Sequence, residues 1–259
     1  MKTILISLLF VSIATAVFAQ ENPSIERWDR SVCLHTEKMK NNGNPSYASA
    51  FLVQRDESTY LVTANHAARD TDGRTKLLYR TADGESKWLY LAAITNASSN
   101  PWQTYENADI AVLLVDPTQA ESKPYLDQLR KLSIEFDTIR LDAPSRTTDI
   151  EITGFPVGIG TIPPISPLAM KGSIASREML ADAQWGAEAV LYAVPIVGAG
   201  CSGGPVFRCE FDPMKTDLVG MYIGMVYDPS GVKLSKIVPS RIIRQTIDAM
   251  RTTSTKIAK

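Results

Sequence analysis

The stretch GCSGGP at residues 200–205 places Ser202 between glycines. Glycine accepts backbone conformations that other residues resist, so this turn can expose the serine hydroxyl and let a substrate chain come close. A serine hydroxyl is a weak nucleophile and needs a neighbouring base to take its proton. Imidazole suits that role because histidine titrates near neutral pH. The stretch therefore predicts a nucleophilic serine that works with a histidine.

The chain offers two histidines, His35 and His66. Residues 60–64, YLVTA, are typical of a buried strand, and residues 65–68, NHAA, follow as a turn at its end. His66 is therefore expected at the end of a rigid strand, where a base is well placed. His35 lies in residues 31–36, SVCLHT, whose alternating pattern favours a partly exposed structural histidine.

Asp109 is the candidate for the third member of the site. It opens residues 109–115, DIAVLLV, a nearly continuous apolar strand in which a charge is costly to bury unless it is paired. A carboxylate beside a catalytic histidine fixes its tautomer and stabilises the imidazolium formed during attack. Taken singly, each residue also fits a structural role: a hairpin corner, a buried histidine or a turn cap. Their joint occurrence favours catalysis.

Three motifs together resemble the trypsin-like (chymotrypsin-fold) serine peptidase family, with the same order of histidine, aspartate and serine. They are residues 63–66, TANH, residues 109–112, DIAV, and residues 200–205. Further segments are similar to the bacterial HtrA-like branch: residues 154–158, GFPVG, residues 171–176, KGSIAS, and residues 236–240, KIVPS.

This resemblance implies an all-β fold of two antiparallel six-stranded β-barrels with a C-terminal helix. It also implies a catalytic triad of His66, Asp109 and Ser202, and an oxyanion hole formed by the backbone N–H groups of Gly200 and Ser202. Because the chain ends soon after the expected helix at residues 240–250, we expect an HtrA-like protein without a PDZ domain.

The residue pattern independently indicates an antiparallel all-β protein. Short apolar segments alternate with turn clusters such as residues 41–45, NNGNP, and the Asp-Gly pairs at 72–73 and 83–84. We expect an N-terminal barrel at residues 20–115, a linker at 116–148 and a C-terminal barrel with its helix at 149–259. The triad would then lie in the cleft between the barrels, where ligand sites commonly form.

The first 19 residues predict export. A positively charged start precedes an apolar run at residues 4–14, and Val17 and Ala19 are small residues at the positions that determine signal cleavage. A retained membrane anchor is the alternative, but the run is short for a span. We expect cleavage after Ala19, no stable membrane anchor, and a periplasmic or secreted protein.

Several classes of function receive no support from composition or motifs. The net charge of −1 gives no basic surface for nucleic acid. No cysteine–histidine cluster has zinc spacing and no phosphate-binding loop is present, so we expect neither metal nor cofactor. Cys33, Cys201 and Cys209 leave at least one thiol unpaired or paired between chains, without indicating which. Oligomeric state stays open.

The resulting expectation is an exported serine endopeptidase that cleaves polypeptides through an acyl-enzyme intermediate. A trypsin-fold binding protein without catalysis is the first alternative. A cysteine nucleophile at Cys201 is the second, although the glycines centre on Ser202.

Two departures from the family pattern concern the surroundings of the triad. Cys201 stands where many family members carry an aspartate that pairs with a newly cut N-terminus, so activation by that ion pair is not expected. Ile223 stands where relatives often have a hydroxyl near the catalytic aspartate.

The resemblance also places a substrate pocket beside residues 194–199, VPIVGA, a segment without charge. We expect Ile196 and Met225 to line this pocket. Apolar walls leave a charged substrate side chain unpaired, which predicts cleavage after small or medium aliphatic residues.

Overall fold

Two antiparallel β-sheets dominate the protein in a computed structural model, which describes residues 25–37, 45–95, 101–116 and 123–257. The predicted all-β fold of two barrels with a C-terminal helix is confirmed. The predicted signal segment at residues 1–19 lies outside the described residues, as does most of the turn cluster at residues 41–45.

The first sheet has eight strands within the described part of the chain, in the order β5-β4-β1-β2-β3-β7-β6, with β8 paired in parallel to β2. Its strands are β1 (Ser31–Thr36), β2 (Ser46–Arg55), β3 (Ser58–Thr63), β4 (Lys76–Arg80), β5 (Ser86–Tyr90), β6 (Trp102–Thr104), β7 (Ala111–Val115) and β8 (Ile134–Glu135). Helix α1 (Asn65–Arg69) follows β3, and helix α2 (Lys123–Leu132) precedes β8. The short strands β6 and β8 account for the excess over the six strands expected.

The second sheet closes on itself. Its strands are β9 (Asp149–Gly154), β10 (Leu168–Ile174), β11 (Met179–Ala183), β12 (Gly186–Val194), β13 (Pro205–Arg208), β14 (Leu218–Tyr227) and β15 (Lys233–Pro239). The order is β10-β9-β13-β14-β15-β12-β11, and an additional pairing of β10 with β12 completes a ring of six strands. The remaining strand, β11, extends β12 as a hairpin.

Helix α3 (Ser240–Ile257) packs against the core of the first barrel and against one side of the second. Ile242, Ile243 and Ile247 recur at helical spacing and are buried, so that the apolar face of the helix packs away from water. They belong to the same hydrophobic cluster as the first barrel and as Met221 and Ile223 of β14. The apolar cluster of the first barrel therefore extends onto the second barrel, whose own interior forms a separate cluster. No helix in the described ranges is long and apolar enough to cross a membrane.

Candidate active site

His66 and Asp109 meet at one edge of the first barrel because of strand pairing. The last residue of β3, Thr63, pairs with the first residue of β7, Ala111, in an antiparallel ladder. His66 follows Thr63 by three residues, and Asp109 precedes Ala111 by two. The end of one strand and the start of its neighbour thus bring residues 43 positions apart into contact.

The Asp109 carboxylate makes two hydrogen bonds to His66. Its Oδ2 lies 2.6 Å from Nδ1 of the imidazole, and its Oδ1 accepts the backbone N–H of His66 at 2.9 Å. Asp109 is buried at 6% exposure, whereas half of the His66 side chain is exposed. A carboxylate bound at Nδ1 fixes the ring and leaves Nε2 free to exchange a proton.

The serine loop, residues 198–204, packs against the turn that carries His66. A Cβ atom at Gly203 would lie 2.2 Å from Oγ1 of Thr63 and 3.0 Å from the backbone nitrogen of Ala64, at a φ of +88°. Only glycine allows this approach, which brings Ser202 of the second barrel beside the first. Across the described residues, no hydrogen bond joins Ser202 to the His66 ring.

The backbone N–H groups of the serine loop follow a clear pattern. Three of them donate to described carbonyl oxygens: Cys201 to Gly198 at 3.3 Å, Gly203 to Tyr222 at 2.7 Å, and Gly204 to Cys201 at 2.8 Å. Those of Gly198, Ala199, Gly200 and Ser202 donate to no described protein group. The last two are the residues predicted to form the oxyanion hole, and their N–H groups are available to an external acceptor.

Lys236 is a nearby charge that sequence reasoning missed. It lies on β15 opposite Gly224 of β14, next to the bulge formed by the buried Ile223, and forms an ion pair with the buried Glu188 of β12. Burial lowers the pKa of Lys236, and the negative charge of Asp109 acts in the opposite direction. The one available signal was a lysine directly before the apolar residues Ile237 and Val238. Lys236 thus places a positive charge near Asp109. Ile223 has no hydroxyl that could support that aspartate.

The two predicted pocket residues lie on different elements. Ile196 is partly buried in the segment before the serine loop, and Met225 is 56% exposed on β14. That segment is anchored at both sides of Ile196, since Oγ of Ser235 donates to the carbonyl of Pro195 at 2.7 Å and the Tyr222 hydroxyl donates to that of Val197 at 3.1 Å. The assignment of Ile196 and Met225 to a substrate pocket stays a prediction.

The three cysteines are unpaired thiols in this structure. Cys201 is fully buried, and burial raises the pKa of its thiol to about 12. A cysteine nucleophile acts as the thiolate. Its environment therefore disfavours Cys201 as the nucleophile at neutral pH.

No protein-family model matches the sequence, and no curated protein sequence matches it either. The fold is similar to solved proteases. The MamO protease domain from Magnetospirillum magneticum has a TM-score of 0.57 and 16% identity, covering 84% of this chain and 95% of that one. The Rv3671c protease from M. tuberculosis in its active form has a TM-score of 0.56 and 14% identity, over 82% of this chain and 77% of that one.

A variant of the HtrA-type protease AlgW with a tripeptide is similar at a TM-score of 0.51 and 17% identity. The match covers 88% of this chain and 62% of that one, so this chain corresponds to part of AlgW. These likenesses, together with the two barrels and the terminal helix, give the fold class: the chain has the trypsin-like double-barrel fold of HtrA-type serine proteases.

Proposed function

We propose that this protein is a serine endopeptidase whose triad is His66, Asp109 and Ser202. The observation that carries the proposal is the pair of hydrogen bonds from the buried Asp109 carboxylate to the Nδ1 atom and the backbone of His66. This geometry orients the imidazole as a base beside the loop that presents Ser202. The protease fold and the N–H groups of Gly200 and Ser202, which donate to no described protein group, also support it.

In the proposed reaction, Oγ of Ser202 attacks a peptide carbonyl carbon while Nε2 of His66 takes the hydroxyl proton. The carbonyl oxygen becomes an oxyanion that accepts hydrogen bonds from the N–H groups of Gly200 and Ser202. The intermediate collapses when the C–N bond breaks and the imidazolium returns its proton to the leaving amine. Water then releases the acyl group by the same steps. Loss of one oxyanion donor typically lowers the rate about 10²- to 10³-fold.

The signal-like first 19 residues support an exported enzyme, and we extend the proposal to a protein cleaved after Ala19 that acts on polypeptides in the periplasm or medium. This part of the proposal rests on sequence. Amino-terminal sequencing of the exported protein tests it, with Gln20 as the expected first residue.

A second candidate is a protein that keeps the barrel fold for binding and lacks catalysis. One observation is in its favour: within the described part of the chain, no hydrogen bond links Ser202 and His66. This observation does not exclude catalysis, because contacts between nucleophile and base are often loose until substrate binds. Fold similarity does not separate them either, because one fold hosts many functions.

Covalent labelling with a fluorophosphonate distinguishes the candidates. We expect the mature chain, residues 20–259, to be labelled at Ser202, and Ser202→Ala to lose both labelling and proteolysis. Iodoacetamide at pH 8 should leave activity intact, because the buried Cys201 thiol stays protonated. Labelling that survives Ser202→Ala and disappears in Cys201→Ala would assign the nucleophile to Cys201. An unlabelled, inactive wild type would favour the binding protein.

A further inference from the structure

Ser49 of the first barrel contacts the serine loop of the second barrel through both backbone and side chain. Its N–H donates to the carbonyl of Ser202 at 2.9 Å, and its Oγ donates to the carbonyl of Gly200 at 2.7 Å. Ser49 lies on β2 beyond the point where β3 stops pairing with it, since the ladder between the two strands begins at Phe51. The strand edge at Ser49 is therefore available to the serine loop.

Every carbonyl from residue 199 to residue 202 is held by a donor. Ser49 holds two of them, the N–H of Val157 holds that of Ala199 at 2.6 Å, and the N–H of Gly204 holds that of Cys201 at 2.8 Å. In a trans peptide the carbonyl and the following N–H point in opposite directions. Fixing these four carbonyls thus fixes the direction of the next four N–H groups, among them the unused donors of Gly200 and Ser202.

The Ser49 hydroxyl occupies a site built closely around it. The residue is fully buried, and its Oγ also accepts the N–H of Phe155 at 3.0 Å. A Cβ atom at Gly154 would lie only 2.5 Å from that oxygen, so the glycine makes room for the hydroxyl. The Ser49 hydroxyl therefore links the Gly200 carbonyl to a second loop, residues 154–158.

We infer that Ser49 is a positioning residue that holds the serine loop in the conformation with both oxyanion donors free. The inference rests on the proposed serine-peptidase function and goes beyond its triad. The neutral Cys201 cannot form an ion pair with an N-terminus. The Ser49 hydrogen bonds hold the serine loop instead of such an ion pair. The oxyanion hole is thus formed by contacts between the barrels that need no proteolytic activation.

The test measures the rate constant at which a fluorophosphonate modifies the folded enzyme. In that reaction the Ser202 oxygen bonds to phosphorus, fluoride leaves, the proton passes to His66, and the phosphoryl oxygen lies in the oxyanion hole. We expect Ser49→Ala to lower the limiting rate constant roughly 10-fold to 100-fold while the half-saturating probe concentration changes little. A general loss of folding would instead reduce the fraction of labelled protein.

Ser31→Ala is the matched control. Ser31 is a buried serine of β1 whose Oγ also reaches the second barrel, at 2.5 Å from Oγ1 of Thr153, but no described hydrogen bond joins it to the serine loop. We expect it to keep the wild-type rate constant. Ser49→Cys, with a weaker donor of similar shape, is the second variant if Ser49→Ala does not fold, and an intermediate loss is expected.

The outcomes separate the inference from the function on which it rests. A wild-type protein without labelling contradicts the proposed function itself. A labelled wild type whose Ser49→Ala or Ser49→Cys variant reacts as fast as Ser31→Ala overturns the role of Ser49 and leaves the triad intact.

Discussion

At the scale of single residues, the two histidines have contrasting surroundings. His66 is bound to a buried carboxylate, whereas His35 stacks on Tyr47 with ring centroids 4.6 Å apart. Burial and then the positive charge of Lys76 lower the pKa of His35. Among the described residues, no carboxylate is hydrogen-bonded to the nitrogens of this stacked ring, so the environment agrees with the structural role expected from the strand pattern.

This contrast predicts the effect of removing each imidazole. His66→Ala should lose nearly all proteolysis, because the proposed mechanism needs its imidazole to take the Ser202 proton, while His35→Ala should retain most of it. Initial rates of casein hydrolysis by the wild type and both variants provide the measurement. Equal damage from both variants, in folded protein, would contradict the choice of base.

At the scale of elements, a strained turn supports the serine loop. The turn at Pro156–Gly158 contains Val157 with a φ of +47°, a rare conformation for a β-branched residue. Its N–H holds the Ala199 carbonyl, while a Cβ atom at Gly200 would lie 2.5 Å from the Phe155 carbonyl oxygen. Strain of this kind persists where the surrounding structure enforces it, and it clusters at functional sites.

Val157→Asn tests this strain. Asparagine tolerates the left-handed conformation better than valine, and 67% exposure means that little apolar burial is lost. We expect the free energy of unfolding to rise by about 1 kcal/mol with activity largely retained. Urea denaturation measures the change.

Val232→Asn is the control for that substitution, since Val232 is also exposed but does not have a positive φ. It should leave the free energy of unfolding nearly unchanged. A Val157→Asn variant no more stable than the wild type would show that the turn carries no relievable strain.

At the scale of the whole molecule, the segment before β1 links the first barrel to the second through an ion pair and hydrogen bonds. Arg27 is 2% exposed, and its guanidinium contacts Glu151 of β9 at 2.7 Å and the carbonyls of Asp212 and Glu210 at 2.7 and 3.0 Å. Trp28 adds a hydrogen bond from Nε1 to the same Glu151 carboxylate at 2.7 Å. A buried charge is tolerated when it is paired in this way.

Arg27→Met should therefore lower the free energy of unfolding by about 3 to 5 kcal/mol, because it leaves the Glu151 carboxylate buried without its cation. Adding Glu151→Gln should recover part of the loss. Arg74→Met is the control, since the Arg74 side chain is 91% exposed and its ion pair with Asp72 lies in water. Urea unfolding of the variants gives the comparison. Equal losses for Arg27→Met and Arg74→Met would rule out a stabilising role for the buried Arg27–Glu151 pair.

The sequence by itself determined the features that depend on neighbours along the chain. The apolar run after Asp109, the glycines around Ser202 and the spaced isoleucines of α3 indicate a buried strand, a tight turn and an amphipathic helix from local periodicity and turn chemistry. These patterns were enough to predict an antiparallel all-β protein and to nominate three residues for the site, and the resemblance of the motifs to trypsin-like peptidases implied the two barrels. Their catalytic roles stay predictions.

Only the tertiary structure decided which distant groups support that site. Ser49 and Gly200 are separated by 151 positions, and Arg27 and Glu151 by 124, so neither pair leaves a local pattern. In the sequence, nothing distinguishes Lys236 from the other residues of its strand. The folded second barrel places it beside the buried Glu188. Local propensity is set by the nearest residues, whereas these contacts depend on how two barrels pack together, and that packing is a property of the folded chain as a whole.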